Sequence, residues 1–254
     1  MRRLRHCLWV VGGCACALSA CTRPVKEPRS LAPVAHAPPV PACARLHPGV
    51  GAARLDTTRA GSPVALATSR GPDGDRVIAY VADADEPTLH TIDIESRKEI
   101  AATSLAGRPE QVLVLADGRV AVTLRASNAV QVLEPRERDE EGLVTRCAVP
   151  TASEPIALAS TPDDATVLVT SGWAHSLAAF DARTMAPAYR VDLPRDPRAV
   201  VVSDDGSRAF VAHVVEARMS VVDLATPEHQ ARLIDLRVKR NLGDTGPNVT
   251  LRKG

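Results

Sequence analysis

The sequence predicts an all-β fold, a β-propeller of four-stranded antiparallel blades, on three observations. A pattern of about forty-four residues occurs four times between Gly61 and Leu236, each copy opening on a proline: Pro63, Pro109, Pro155 and Pro197, spaced 46, 46 and 42 apart. Periods of this size mark solenoids, propellers and arrays, in which one unit cannot bury its own apolar face. Within each copy the apolar segments are strand-length, rich in Val, Ile and Leu, and bounded by Gly, Pro and Asp. No segment sustains a period of 3.6 for twelve residues, and four short strands per repeat, stacked radially, describe a propeller blade.

The basic start Met1-Arg-Arg-Leu-Arg-His6 is followed by a twelve-residue apolar stretch, Cys7 to Leu18. As a helix that stretch spans only ~18 Å, short of a bilayer core, so residues 1–20 read as a signal peptide. Leu18-Ser-Ala-Cys21 resembles the bacterial lipobox, which implies an acylated Cys21 as the mature N-terminus; an ordinary secretory signal or an uncleaved anchor is the plainer alternative. Cleavage there removes three arginines and leaves 28 basic against 30 acidic side chains, a balance that argues against nucleic acid as a partner. The expected membrane contact is the lipid, which holds a protein stably when two or more chains insert.

Residues 21–61 carry Pro24, Pro28, Pro33, Pro38, Pro39, Pro41 and Pro48 among alanines and read as a Pro/Ala-rich tether. Within it, Gly51-Ala-Ala-Arg-Leu-Asp56 has the makings of an added edge strand. Residues 62–236 are the four blades. In each, an apolar run follows the proline and ends at an acidic turn (Asp73-Gly74, Asp117-Gly118, Asp163-Asp164, Asp205-Gly206). Second strands follow, such as Val77–Val81, Val120–Thr123 and Val167–Thr170, nearly continuous apolar runs as expected where both faces are buried. The third run closes on an acid: Asp93, Glu134, Asp181 and Asp223. In the last copy the strands read Ala199–Ser203, Arg208–Ala212, Met219–Leu224 and Arg232–Leu236. Residues 237–254 read as an irregular tail, and the array is expected to be partial or open, an arc or a truncated member of a longer family rather than a compact four-bladed ring.

The last repeat, Asp204-Asp-Gly-Ser-Arg-Ala-Phe-Val-Ala-His213 with Met219-Ser-Val-Val-Asp-Leu-Ala-Thr226, resembles the YVTN family of bacterial β-propeller repeats. That family's pattern is an acidic turn, aromatic-Val-small-Asn, then an apolar strand ending in Asp and a Thr-containing turn. The resemblance implies a surface or envelope repeat protein without one shared activity. The family's Asn is replaced throughout, by Asp83, Leu124, Ser171 and His213, which puts blade-closing interactions made by that Asn in doubt.

Rigid strands present variable loops at one rim of a propeller, the usual recognition surface. The loops between second and third strands hold Asp85, Arg125, Asn128, Trp173, His175, His213 and Arg218, the candidate binding rim. Trp173 either stacks on a ligand or packs on a neighbouring blade. No tight ligand spacing supports a metal site, and Ser171 with His175 lacks an oxyanion loop or nucleophile elbow. No catalytic set, metal or cofactor is therefore expected. Of the six cysteines, Cys43 and Cys147 remain after processing and lipidation; an exported compartment permits a disulfide, and two buried free thiols are the alternative.

The expected function is a non-catalytic envelope lipoprotein, on the periplasmic face or the cell surface, whose rim binds a protein or peptide. A lactonase-like propeller hydrolase is one alternative. The other is an accessory module of a periplasmic haem or redox enzyme, with any haem on another chain because no C-x-x-C-H occurs here.

Overall fold

The computed structural model describes residues 43–47, 53–55, 59–71, 74–137 and 141–237. The expected signal peptide, Cys21, the first half of the tether and the tail beyond Arg237 lie outside the described residues. Four antiparallel sheets follow one another along the chain, with no helix long and apolar enough to cross a membrane among the described residues. Blade 1 contains β1 (Ala53–Arg54), β2 (Val64–Gly71), β3 (Gly74–Asp83), β4 (Thr88–Asp93) and β5 (Lys98–Ser104). Blade 2 contains β6 (Pro109–Val114), β7 (Val120–Leu124), β8 (Ala129–Pro135) and β9 (Leu143–Pro150). Blade 3 contains β10 (Pro155–Ser160), β11 (Thr166–Ser171), β12 (Ser176–Asp181) and β13 (Pro187–Asp192). Blade 4 contains β14 (Pro197–Val202), β15 (Arg208–His213), β16 (Arg218–Asp223) and β17 (Ala231–Asp235). Each is a meander in which chain neighbours are hydrogen-bond neighbours.

The acidic turns between first and second strands have a local cause. The Asp163 carboxylate accepts from the Ala165 N–H at 3.1 Å, Asp117 from the Arg119 N–H at 3.1 Å and Asp205 from the Ser207 N–H at 3.0 Å. The next residue turns the chain with positive φ, which favours Gly118 and Gly206 and is tolerated by Asp164. The acids closing the third strands work the same way. Asp93 accepts from the Ser96 N–H at 2.7 Å, Asp181 from Thr184 at 2.7 Å and Asp223 from Ala225 at 2.8 Å.

Glu134 breaks this pattern and explains its own identity. Its longer side chain is buried and accepts from the backbone N–H groups of Leu46 and His47, at 3.1 and 2.7 Å. It therefore holds a segment from outside the blade. Burial pushes the Glu134 carboxyl up, but those two N–H donors, with His47 and Arg146 nearby, outweigh it and hold the group below the usual range.

The tether boundary is accordingly corrected. Of the residues expected to form a solvated stalk, 43–47 bind blade 2, where Cys43 is disulfide-bonded to Cys147 on β9 with 5.1 Å between Cα atoms. The Arg119 guanidinium, buried before β7, donates to the carbonyls of Cys43 and Ala182, each at 2.6 Å, and of Arg183 at 3.1 Å. One cation thus ties blade 2, the N-terminal segment and the third-to-fourth-strand turn of blade 3. Further on, β1 pairs with β2 and Arg54 meets Asp164 of blade 3 at 2.7 Å. Arg59 to Ser62 then run along the inner strands of blades 3 and 2: Ser160 N–H donates to the Arg59 carbonyl, Gly61 N–H to Leu158, and Ser62 exchanges two backbone bonds with Val112. These contacts satisfy edge strands that would otherwise present unpaired backbone groups. Composition alone hides most of them, because they are main-chain hydrogen bonds, which residue type does not announce.

Three apolar clusters fill the spaces between successive blades. The third residue after each opening proline faces the preceding blade, as Val112, Leu158 and Val200 do. The fourth faces the following blade, as Ala67, Leu113 and Ala159 do. The continuous apolar strands β7, β10 and β11 are buried on both faces for this reason.

Candidate functional site

In a four-stranded meander, loops joining second to third strands share one end with the linkers that carry the chain to the next blade. That end gathers Arg125–Asn128 and 172–175 from the loops, with Arg108, 151–154 and 193–196 from the linkers. Two hollows lie there on either side of Trp173. One of about 650 Å³ is lined by Ala84, Arg108, Glu110, Arg125, Glu154 and Trp173, among others. The second, about 380 Å³, includes Trp173, His175, Arg195, Asp196, Arg198 and Val215.

Trp173 is 77% exposed, so it does not pack on a neighbouring blade. It sits in a four-residue loop whose first residue, Gly172, leaves no room for a side chain: a Cβ there would lie 2.4 Å from Glu154 Oε2 and 2.9 Å from Ile156 Cδ1. The loop closes on His175 with φ of 48°, the position held in blade 2 by Asn128 with φ of 50°. These two residues share a backbone task, and Asn tolerates it well. Asn128 has a second one, accepting through Oδ1 from the Glu154 N–H at 2.9 Å and so fixing the linker into blade 3.

Glu154 is the residue on which this end is organised. It is buried, and its Oε1 accepts from Arg125 Nε at 2.8 Å and from Arg125 Nη2. Arg198 approaches the same oxygen at 3.9 Å and pairs with Asp196 at 2.7 Å, while Glu110 lies 3.8 Å from Arg125. The Glu154 carboxylate, chiefly by hydrogen bonding, raises the Arg125 pKa above its ordinary value. Glu154 Oε2 is buried and has no hydrogen-bond partner among the described residues. The result is a fixed row of guanidinium and carboxylate groups beneath an exposed indole.

Of the residues expected at the rim, the structure brings Arg125, Asn128, Trp173 and His175 to the two hollows. Asp85 is exposed on the blade 1 loop, beside Ala84 rather than in the hollow, and its N–H donates to Asp83 at 2.8 Å. His213 is buried beneath the rim. Its Nδ1 lies 2.9 Å from the Arg195 carbonyl, which only accepts, so Nδ1 donates, and Nε2 is hydrogen-bonded to the Ser220 hydroxyl at 2.9 Å. That ring splices a linker to β15 and β16 and presents nothing to a ligand. Arg218 is half-buried and paired with Glu216. Glu154, Asp196, Arg108 and Arg198 escape a reading confined to loops within blades. Strand parity is the signal that finds them, since the fourth-to-first linkers must emerge at the same end. Among the described residues no group of three or more His, Cys, Asp or Glu side chains is placed to hold a metal ion.

No protein-family model and no curated protein sequence matches the chain. Solved structures do. A protein from Lactobacillus plantarum aligns with TM-score 0.54 and 15% identity over 74% of this chain and 70% of its own. The periplasmic gluconolactonase of Pseudomonas aeruginosa aligns with TM-score 0.53 and 17% identity over 66% of this chain and 53% of its own. Hydrazine synthase of Kuenenia stuttgartiensis aligns with TM-score 0.53 and 18% identity over 62% of this chain. This chain spans 46% of that hydrazine synthase chain and about half of the gluconolactonase. At such identities the likeness is one of fold. The four stacked meander sheets are blades of a β-propeller.

Proposed function

We propose that the chain is a non-catalytic cell-envelope lipoprotein, akin to the YVTN repeat proteins, whose propeller rim binds a protein or peptide. The observation that carries the reading is Trp173, exposed between two hollows and backed by the Arg125–Glu154–Arg198 row. An indole beside guanidinium groups is the side-chain chemistry in which interface binding energy concentrates. The apolar walls at Ala84, Pro109 and Ala126, with Arg108 exposed at the edge, suit a segment carrying a carboxylate next to an apolar side chain. Attachment follows the sequence: Cys21 carries the lipid and the proline-rich stretch before Cys43 spaces the blades from the membrane.

Truncating a hot-spot aromatic costs ~2 kcal/mol or more, about thirtyfold in affinity, so Trp173→Ala is expected to weaken capture of an envelope partner by that factor with an unchanged circular dichroism spectrum. Capture at wild-type strength by the Trp173→Ala protein refutes the rim as the site. Mass spectrometry of membrane-extracted protein is expected to find a lipid-modified Cys21 peptide; an unmodified N-terminus elsewhere removes the lipoprotein half of the reading.

A propeller hydrolase is the competing reading, favoured by one feature, the buried Glu154 oxygen without a partner. Lactone turnover by purified protein that disappears in Glu154→Gln decides for it.

A further inference from the structure

We propose that the two ends of the blade stack are binding sites for each other: the outward face of blade 4 in one copy docks on the outward face of blade 1 in a second copy. Two copies joined twice in this way close a ring of eight blades.

The inference rests on how successive blades already meet within the chain. At every internal junction the fourth residue after one proline, with its cross-strand row, packs on the third residue after the next proline, with its row. Between blades 3 and 4 these rows are Ala159-Leu168-Ala179-Tyr189 and Val200-Val211-Ser220-Leu233. Applying the same register to the ends leaves one row of each kind without a neighbouring blade among the described residues. Blade 4 presents Val201-Phe210-Val221-Arg232. Blade 1 presents Leu66-Ala79-Ile92-Glu99.

Both rows keep the apolar character of a buried junction, with Ala79 and Val221 buried at their centres and the first-strand members open to water. Leu66 is 44% and Val201 50% exposed, and Val64 and Ile94 of blade 1 are exposed as well. Residues 42 positions apart repeat closely: Ala157, Ala159, Leu168, Leu177 and Ala179 face blade 4, and their counterparts in blade 4 are Ala199, Val201, Phe210, Met219 and Val221. A face that met only solvent would have no reason to keep five apolar residues in these positions. The rows also end in opposite charges at the perimeter, exposed Arg232 on blade 4 and Glu99 on blade 1, the latter 2.8 Å from His90.

Blade 4 therefore offers the kind of face that blade 1 accepts, and neither is complementary to itself. Such a contact is heterologous, and heterologous contacts form rings when their rotation closes. Eight blades is within the range that propellers use. A second copy is the proposed occupant because its two end rows carry opposite perimeter charges and continue an interface built three times among the described blades.

The test is light scattering of the purified full chain after size exclusion, at tens of micromolar, on wild type, Leu66→Arg and Val201→Arg. The expected result is a wild-type particle of twice the chain mass and monomers for both variants, with unchanged circular dichroism. An equimolar mixture of the two variants is expected to recover a dimer, because Val201 of one copy still meets Leu66 of the other. A second set guards against misfolding: Glu99→Lys and Arg232→Glu each weaken the dimer, and the double variant restores it. A monomeric wild type overturns the proposal, as does a dimer lost in Val201→Arg but kept in Leu66→Arg, the signature of a blade 4 to blade 4 contact. Failure of the mixture to reassociate overturns it too.

Discussion

Replacing Arg119 by methionine removes the buried cation and keeps most of the volume, so the loss measures hydrogen bonding rather than packing. The guanidinium is 2% exposed and donates at 2.6 Å to Cys43, 2.6 Å to Ala182 and 3.1 Å to Arg183. Its fourth contact, to Asp117 at 2.7 Å, counts for less because that carboxylate is 39% exposed and screened by water. Hydrogen bonds from a charged donor contribute about 1.5–3 kcal/mol each, and a buried carbonyl left without a partner costs about 1–3 kcal/mol. These losses overlap, and water entering the vacated space recovers part. The expected net is therefore about 3–5 kcal/mol, in line with breaking other buried charged networks.

For a domain of this size each kcal/mol moves the melting midpoint by about 2–4 °C, so Arg119→Met is expected to lower Tm by about 6–20 °C. Arg119→Lys, with a point charge in place of a planar fork, reaches fewer of the three carbonyls and falls in between. The assay is thermal denaturation by circular dichroism, with limited proteolysis reporting release of residues 43–47. A Tm within 2 °C of wild type for Arg119→Met, or equal losses for Lys and Met, refutes the argument that a forked donor joins the three segments.

Cys147→Ser opens a link spanning 104 residues; a closure of that length is worth up to ~4.7 kcal/mol in the chain-entropy model, so a loss of about 2–5 kcal/mol is expected in urea denaturation, and none refutes it. Because Cys43 is held by both the disulfide and Arg119, the Cys147→Ser and Arg119→Met losses are expected to be non-additive in a double-mutant cycle, whereas independent sites would add. Glu134 is held below the usual carboxylate range in the folded state, so its contribution is fully present above the unfolded pKa of about 4.3 and is lost as pH falls through the lower folded value. The protection factors of the Leu46 and His47 amides, taken against intrinsic exchange at each pH, are expected to fall in that acid window, and Glu134→Gln to remove the fall; protection that does not change with pH refutes the assignment. Val211 is fully buried between blades 3 and 4, and Val211→Ala is expected to cost about 2 kcal/mol by leaving a cavity, read as a lower thermal midpoint; an unchanged midpoint contradicts the packing.

The blades were legible because their signals are local and repeated. An aspartate two residues before the N–H it caps, a turn residue with positive φ and an alternating apolar run recur every forty to fifty residues, and each acts within a few ångströms of its own backbone. What composition concealed is non-local. Residues 43–47 look like linker, since alanine and histidine advertise no partner. Their ties are made by Arg119, Glu134 and Cys147 more than seventy positions away. Two clues were visible: the Cys43 and Cys147 pair left after processing, and a glutamate at 134 where the other three blades have aspartate. His213 reads as a rim ligand from its place after a second strand, yet its two ring nitrogens are spent on Arg195 and Ser220.

The same contrast separates the two ends of the blades chemically. At the end with acidic turns, side chains satisfy their own backbone and have little left to offer: Asp205, drawn down to about 2 by Ser203 and Ser207, is fully engaged within its turn. At the opposite end the backbone is satisfied differently. The Asn128 carbonyl accepts from Thr151, the His175 carbonyl from Leu193 and the Glu154 carbonyl from Gly172, so loops and linkers hold one another through main-chain bonds. Asn128 and His213 add side-chain bonds to the linkers, whereas Trp173 is mostly exposed and stands in water over the Arg125–Glu154–Arg198 row without loss to the fold. The proposed binding chemistry thus sits where main-chain bonds carry much of the architecture. Substitutions at Trp173 are accordingly expected to alter recognition, and those at Asp163 or Asp205 to alter stability.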